Sequence, residues 1–360
     1  MKVHWKGETR DIWTLWREGT EVKMIDQRVL PHKFEILTFK NFKETADSIR
    51  DMVCRGAGAI GCAAGYSMAQ AALEANEMEV AQFTDYLENA ASYAYGTRPT
   101  AVNLFQAVER CLEAGSMGDV NERVEKVVEE ADRIAEEDLE ASKKMGEHGS
   151  ELIGDDYRIL THCNAGALAF IDFGTALSPI RFAQKQGKRP FVWVDETRPR
   201  CQGARLTAWE LMQEGIDYAL IVDNAAGYFM QRGEVDIVIV GADRVTANAD
   251  VVNKIGTYEK AVVAKENDIP FYVAAPRMTF DLKTETGWEV EIEERSHEEV
   301  TRMWGKINED ELKDVQIPAD GTVARNPSFD ITPARYISGF ITEEGIIKPP
   351  FEENIRKTFQ

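Results

Sequence analysis

Positive charge is scarce in this sequence. Its 360 residues contain 62 Asp and Glu against 42 Lys and Arg, which gives a net charge of −20. Nucleic-acid backbones and anionic membrane surfaces are also negative, so we expect binding to neither nucleic acid nor a membrane. An anionic ligand must therefore meet a local cluster of cationic side chains.

Cysteine and long apolar runs are scarce as well. The five cysteines are odd in number and widely spaced, and none lies in a CxxC motif, so the sequence indicates neither a disulfide framework nor a zinc site. No apolar stretch approaches the roughly 18 residues of a membrane span, and residues 1–10 are polar. We therefore expect no membrane-spanning helix, no export signal and a cytoplasmic location.

A change of pattern near residue 148 divides the chain, and its length suggests two domains. Residues 1–148 are predicted to be mostly helical, with a helix start near Pro99 and a long amphipathic helix over 120–145 whose acidic residues form a solvated face. In residues 149–360, short apolar runs alternate with helical segments and predict an α/β fold with a parallel sheet. The predicted strands are 157–161, 191–194, 218–222, 236–240 and 270–274.

Polar side chains follow these predicted strands. Ligands of open α/β sheets bind beyond the carboxyl ends of the strands, so polar clusters at successive strand ends predict a ligand site. The clusters are Cys163 and Asn164, then 195–198, then Asp223 and Asn224, then Asp243 and Arg244.

The glycines of RGAGAIG at 55–61 match the G-x-G-x-x-G dinucleotide fingerprint. Residues 47–54 have helical rather than strand spacing, which disfavours a nicotinamide or flavin cofactor. A helix start with open backbone N–H groups beside the Arg55 charge favours a phosphate site, with close helix packing as the alternative. Arg98 precedes Pro99 and would project from a helix entrance, toward either a phosphate or sugar hydroxyl or an ordinary ion-pair partner.

Cys163 and Asp243 are the candidate reactive residues. Cys163 is expected at a strand end, where an inert buried cysteine is the alternative, and the neighbouring His162 should point to the opposite face of the strand. Asp243 follows an apolar run too hydrophobic for an edge strand, where a partly dry cleft would raise the carboxyl pKa and suit a general acid or base. A turn or capping aspartate is its alternative. Asn253 and Lys254 could return to the same place, or be exposed helix residues.

Ordered segments along nearly the whole chain resemble the methylthioribose-1-phosphate isomerase family of methionine salvage. The wider fold family includes the regulatory subunits of translation initiation factor 2B. The segments are IDQRVLP at 25–31, IRDM at 49–52, RGA at 55–57, TRPTAVN at 97–103, THCNAG at 161–166, DETRPR at 195–200, QGARLT at 202–207, GADRVTAN at 241–248, NKIGT at 253–257 and NPSFD at 326–330.

The resemblance implies a mostly helical N-terminal domain, a C-terminal Rossmann-like domain, a homodimer, and no cofactor or metal. It places Cys163 and Asp243 at the catalytic positions. The sequence departs from the family pattern at Gly58, where proline is usual, and at Ala249, where glycine is more usual. The implied substrate contacts are Arg55, Gly56, Ala57, Arg98, Gln202, Asn253 and Lys254.

The implied reaction converts 5-methylthioribose 1-phosphate into 5-methylthioribulose 1-phosphate. Because the phosphate ester blocks the anomeric carbon, Asp243 would protonate the ring oxygen before a proton moves from C2 to C1, with Cys163 carrying that proton or stabilising the intermediate. A hydride shift is the competing mechanism. The alternative functions are an isomerase of ribose 1,5-bisphosphate or 5-deoxyribose 1-phosphate, and a non-catalytic regulatory subunit of the initiation-factor-2B type.

Overall fold

The structure is a computed structural model that describes residues 1–98, 101–308 and 311–359. The helix start predicted near Pro99 lies outside these residues. The chain forms two compact units, the first of Met1–Glu147 with Ala165–Arg181 and the second of His148–Asn164 with Phe182–Gln360. The predicted boundary at 148/149 stays a prediction, and the segment Ala165–Arg181 packs with the first unit rather than with its sequence neighbours.

The chain up to residue 150 contains short strands followed by long helices. These elements are β1 (Lys2–Trp5), β2 (Glu8–Asp11), β3 (Leu15–Glu18), β4 (Glu21–Ile25), β5 (Ile36–Phe39), α1 (Phe42–Arg50), α2 (Ala57–Glu74), α3 (Val80–Tyr95), α4 (Val102–Ala114) and α5 (Val120–Ser150). The helix predicted over 120–145 is confirmed as α5. Strands β1 to β5, which pair as an antiparallel β1–β2 hairpin and an antiparallel β3–β4–β5 sheet, were not predicted.

The helices of the first unit surround α2. Helix α2 is rich in alanine and glycine, and every residue from Gly58 to Ala72 is buried, so it forms the centre of the helical core rather than an amphipathic surface helix. The acidic residues of α5 do not all form a solvated face as predicted, because Glu130 and Asp138 are buried.

The chain after residue 150 alternates strands and helices. These elements are β6 (Arg158–Thr161), α6 (Leu177–Lys185), β7 (Phe191–Asp195), α7 (Ala208–Glu214), β8 (Asp217–Ile221), α8 (Ala225–Gln231), β9 (Ile237–Val240), β10 (Arg244–Thr246), β11 (Val251–Lys254), α9 (Thr257–Glu266), β12 (Phe271–Ala274), β13 (Phe280–Asp281), α10 (Glu298–Thr301), β14 (Arg302–Lys306), β15 (Leu312–Gln316), β16 (Phe329–Thr332), β17 (Gly339–Thr342), β18 (Gly345–Ile347) and α11 (Phe351–Phe359).

Within the described residues, one sheet of this second unit has seven strands in the order β18-β17-β12-β9-β6-β7-β8. Strand β18 is antiparallel to β17, whereas every other neighbouring pair is parallel. All five predicted strands occur, as β6, β7, β8, β9 and β12, so the predicted α/β class is confirmed. Strand β9 is buried at every position in the middle of the sheet, as its apolar run predicts for a strand covered on both faces.

A second, smaller sheet of the same unit has the order β13-β10-β11-β16. Asn253 and Lys254 end β11 and are buried, so the alternative that they are exposed helix residues is wrong. Among the described residues, no helix combines the length and the apolar character needed to cross a membrane.

Candidate active site

The two candidate reactive residues lie at the carboxyl ends of neighbouring parallel strands. Cys163 comes two residues after β6, Asp243 comes three residues after β9, and these strands pair directly. Both side chains are half-buried. Their location is the one that the sequence predicts for a ligand site in an open α/β sheet.

The His162 side chain takes part in a buried network rather than serving Cys163. Its Nε2 lies 2.8 Å from the Ile255 carbonyl oxygen, and because a carbonyl only accepts, Nε2 carries a proton. Its Nδ1 lies 2.9 Å from Asp195 Oδ2, and a second proton forms the hydrogen bond between these two atoms. Burial raises the pKa of Asp195. His162 and Lys260 oppose this rise, and the Lys260 Nζ lies 3.6 Å from the same Asp195 oxygen.

The same network is the one group of His, Cys, Asp and Glu side chains in the described residues whose spacing suits a metal ion. Ligand atoms of His162, Asp195 and Asp223 lie within 4.8 Å of one another. However, both ring nitrogens face acceptors, and the two Asp223 oxygens accept hydrogen bonds from the backbone N–H groups of Thr197 and Arg198. With the Lys260 ammonium also beside Asp195, the arrangement fits a hydrogen-bond network better than a cation site.

The predicted contacts of the second unit are buried polar side chains. Gln202 precedes a short π-helical segment, Gly203–Thr207, and its Oε1 is buried without a hydrogen-bond partner among the described residues. Lys254 donates from Nζ to the Ser328 carbonyl oxygen at 2.7 Å, and the same ammonium lies 4.4 Å from the centre of the Phe329 ring. Asn253 donates to the Thr257 hydroxyl at 2.9 Å. A buried amide oxygen without a partner suits a ligand hydroxyl.

Arg295 is a further cation near this group that the sequence patterns do not indicate. Its guanidinium lies 5.7 Å from the Phe329 ring centre, and its Nε is buried without a hydrogen-bond partner among the described residues. Burial opposes its charge, but Glu293, Glu299 and Asp243 outweigh burial and raise the pKa of Arg295. It belongs to an irregular segment without periodicity, which is why sequence reasoning missed it.

The predicted anion-binding loop of the first unit opens helix α2. Gly56 has φ of 92°, and a Cβ there would lie 2.4 Å from Ala169, so only glycine fits the position. Helix α2 begins at Ala57, which leaves the N–H groups of its first turn outside the helical hydrogen bonds. This start confirms the helix entrance predicted at these glycines.

Arg55 and Arg98 both lie near this loop. Burial raises the pKa of the Cys54 thiol to about 12, and the charges of both Arg55 and Arg98 oppose that rise, so both guanidinium charges act on one buried thiol. Two cations beside a helix N-terminus form the arrangement that favours a phosphate.

The two departures from the family pattern have physical explanations. A Cβ at Gly58 would lie 2.3 Å from both Asp138 Oδ1 and Phe170 Cδ1, so a side chain there would require these two side chains to shift. Ala249 has φ of 65°, a left-handed conformation that glycine adopts without strain, which accounts for glycine being more usual.

Comparison with known proteins identifies the relatives of this chain. The model of the initiation factor 2 subunit family matches residues 53–349. This chain belongs to the initiation factor 2 subunit family. The protein named methylthioribose-1-phosphate isomerase 1 of Pseudothermotoga lettingae is 48% identical over 350 residues, which cover 96% of this chain and 97% of that protein. The resemblance to the methylthioribose-1-phosphate isomerase family is thereby confirmed.

Solved structures of the initiation factor 2 subunit family share the fold. The 5-methylthioribose 1-phosphate isomerase of Pyrococcus horikoshii has a TM-score of 0.88 and 43% identity, with 97% of this chain and 96% of that chain covered. A protein of A. fulgidus named translation initiation factor eIF-2B, subunit delta, has a TM-score of 0.84 and 45% identity, with 97% and 99% covered. The family fold is therefore shared by proteins that carry two different functional names.

Proposed function

We propose that this chain is an aldose–ketose isomerase that converts 5-methylthioribose 1-phosphate into 5-methylthioribulose 1-phosphate in methionine salvage. The observation that carries the proposal is 48% identity over nearly the full length to a protein named methylthioribose-1-phosphate isomerase. The positions of Cys163 and Asp243 at neighbouring strand ends support it.

In the proposed mechanism, Asp243 is the acid and protonates the ring oxygen, which opens a ring whose anomeric carbon is blocked by phosphate. A proton then leaves C2 and returns to C1 through an enediolate-like species, with Cys163 carrying it or stabilising the intermediate. As the C2 carbonyl forms, the C2 hydroxyl gives its proton to the Asp243 carboxylate, which restores the acid. Retention of the C2 hydrogen in deuterated solvent would favour the competing hydride shift, unless the carrier is shielded from solvent.

The substrate contacts proposed in the first unit are Arg55, Gly56, Ala57 and Arg98, on the strength of the open helix start and its two cations. The contacts proposed in the second unit are Gln202, Asn253 and Lys254. Arg55, Arg98 and Lys254 are the proposed phosphate contacts, because guanidinium and ammonium groups form charge-assisted hydrogen bonds with phosphate oxygens.

The test compares ketose 1-phosphate formation from methylthioribose 1-phosphate, 5-deoxyribose 1-phosphate and ribose 1,5-bisphosphate. Wild type, Cys163→Ser and Asp243→Asn are assayed side by side, with circular dichroism to establish that each variant is folded. We expect the methylthio substrate to react fastest and both variants to lose at least a thousandfold in kcat, on the order found when an acid, base or nucleophile is removed. Faster turnover of the bisphosphate would reassign the substrate.

The alternative from another class is a non-catalytic regulatory subunit, and the A. fulgidus protein carries the name of an initiation-factor subunit. A subunit that only binds a partner has no chemical use for Cys163 and Asp243 together with a buried cationic set. Absence of turnover on all three sugar phosphates by folded wild type would favour this alternative.

A homodimer and a cytoplasmic location belong to the same proposal. Strand β8 is an edge of the large sheet. Leu220 within β8 is 49% exposed, Val222 just beyond the strand is 57% exposed, and Tyr228 of α8 is 56% exposed. Exposed apolar residues along a sheet edge suit a partner surface. Sedimentation should give a dimer, Leu220→Lys should dissociate it, and Val323→Lys, at a position 90% exposed, should not. Cell fractionation tests the location.

A further inference from the structure

Cys163 and Thr197 are two strained residues joined by a hydrogen bond. Their φ angles are 66° and 63°, in the left-handed region that non-glycine residues rarely adopt. For threonine, whose Cβ is branched, this conformation is strained and persists only where the surroundings impose it. The Cys163 N–H donates to Thr197 Oγ1 at 2.8 Å, so two of the left-handed residues are joined where the proposed reactive thiol is held.

Thr197 is completely buried, and its hydroxyl both accepts and donates a hydrogen bond. It accepts from the Cys163 N–H and donates to the Asp195 carbonyl oxygen at 3.1 Å, which fixes its lone pairs toward Cys163. Valine has the same shape but can do neither, whereas serine keeps both hydrogen bonds.

Asp223, which follows β8, imposes the strained conformation on Thr197. Its Oδ1 accepts from the Thr197 N–H at 2.7 Å and its Oδ2 from the Arg198 N–H at 2.8 Å. Hydrogen bonds to an ionised acceptor are the strong ones, and two of them on successive N–H groups hold the turn. Residues 195–198 and Asp223 are among the polar strand ends that the sequence predicts, and the proposed reaction leaves Asp195, Thr197 and Asp223 without a role.

The carbonyl side of Cys163 is held by a second threonine. Thr207 Oγ1 donates to the Cys163 carbonyl oxygen at 2.7 Å and accepts from Asn164 Nδ2 at 3.2 Å. Threonine hydroxyls that follow β7 thus hold both peptide groups of Cys163, and through them the direction of its Cα–Cβ bond.

We propose that Thr197 is a positioning residue for Cys163, which it holds in the left-handed conformation through the Cys163 N–H, while Asp223 holds Thr197. The proposal rests on the proposed function only in assigning a chemical role to the thiol. Without the hydroxyl, the Cys163 N–H would face a methyl group, and the loop would relax toward an unstrained conformation that leaves the thiol more exposed and away from the reacting carbon.

The test uses the full chain with Thr197→Val and Thr197→Ser, and Thr342→Val as a matched control. Thr342 is also fully buried with its hydroxyl donating to a backbone carbonyl, that of Gly345, but it lies in β17, toward the other edge of the sheet. Three quantities are measured: kcat and KM on methylthioribose 1-phosphate, and the rate of iodoacetamide alkylation at Cys163, which is followed by peptide mass spectrometry.

We expect Thr197→Val to lower kcat about ten- to a hundredfold with KM changed less than threefold, as for loss of a group that orients a reacting residue. Alkylation of Cys163 should become at least fivefold faster. Thr197→Ser and Thr342→Val should stay within threefold of wild type in all three quantities. Asp223→Asn places a side-chain NH2 group, which cannot accept, opposite one of the two backbone N–H groups. This variant should therefore change kcat and alkylation in the same direction as Thr197→Val.

The proposal is overturned if folded Thr197→Val matches wild type in kcat and alkylation, or if Thr197→Ser loses as much as Thr197→Val. If Thr197→Val does not fold, Asp223→Asn takes its place. The proposal is then overturned if Asp223→Asn matches wild type, or if Thr197→Ser loses as much as Asp223→Asn. If wild type turns over no sugar phosphate, alkylation alone decides it, so failure of the proposed function is distinguished from failure of the positioning role.

Discussion

Asp138 is expected to make the first unit less stable as the pH rises. Burial raises the pKa of this carboxyl from the ordinary 3.8 to about 7, and the hydrogen bond from the Ile171 N–H to Oδ2, at 2.8 Å, only partly opposes that rise. Burial also raises the pKa values of the Cys54 and Cys62 thiols and of Tyr66, and the charge of Asp138 adds to each rise.

The size of the effect follows from the pKa difference between the unfolded and folded states. Below about pH 4 both states bind the proton; between about pH 4 and 7 only the folded state keeps it, so stability falls with rising pH and levels off above 7. A shift of roughly three units at about 1.4 kcal/mol per unit gives about 4 kcal/mol in total. Of this, about 3 kcal/mol is lost between pH 5 and pH 8.

The measurement is urea unfolding of wild type and Asp138→Asn from pH 5 to pH 8, followed by circular dichroism. Asparagine has the same shape, its Oδ1 can still accept from Ile171, and it does not titrate, so the stability advantage of the variant should grow by about 3 kcal/mol over this range. The exposed Asp155→Asn is the control and should show no such growth. An advantage that stays constant within about 0.5 kcal/mol from pH 5 to pH 8 would mean that Asp138 is ionised in the folded protein, which refutes the reasoning.

Three further predictions concern the proposed substrate contacts and their loop. Gly58→Ala should lower the free energy of unfolding by about 1–2 kcal/mol in urea titrations, because its Cβ would overlap Asp138 and Phe170; an unchanged midpoint would contradict the close approach. Gln202→Leu should leave the urea midpoint nearly unchanged but raise KM about tenfold, since Gln202 Oε1, without a partner in the described part of the chain, contributes to binding rather than folding. Arg55→Met should lower kcat/KM about ten- to a hundredfold and Arg55→Lys less, in steady-state assays; equal activity of the two would argue against a phosphate contact.

The location of Cys163 and Asp243 is predictable from sequence because it depends on local patterns. An apolar run of strand length followed by a polar residue places that residue at a strand end, and parallel strands present their carboxyl ends on one edge. The glycine at 56 likewise indicates a helix start, because its φ of 92° is a conformation that glycine adopts without strain. Each of these inferences uses only a few consecutive residues.

The hydrogen-bond partners that hold Cys163 in place depend on which strands become neighbours in the sheet. The sequence does not show that order. Thr197 reaches Cys163 because β6 lies beside β7, and Asp223 reaches Thr197 because β8 lies beside β7. Asp138 lies in an acidic helix whose charged residues suggest a solvated face, and only the packing of α5 makes it buried. Arg295 comes from a segment without periodicity, where pattern analysis has nothing to use.

The close approach of Gly58 to Asp138 and Phe170 constrains the order in which these positions can change during evolution. If proline or alanine replaces Gly58 first, its Cβ meets the side chains of Asp138 and Phe170. If the Asp138 carboxyl is lost first, space opens beside Gly58 and a buried acid is removed. We therefore expect positions 58, 138 and 170 to be epistatic, with a change at 138 or 170 preceding a side chain at 58. Relatives with a side chain at 58 should carry smaller or displaced groups at the other two positions, a correlation that sequence alignments can test.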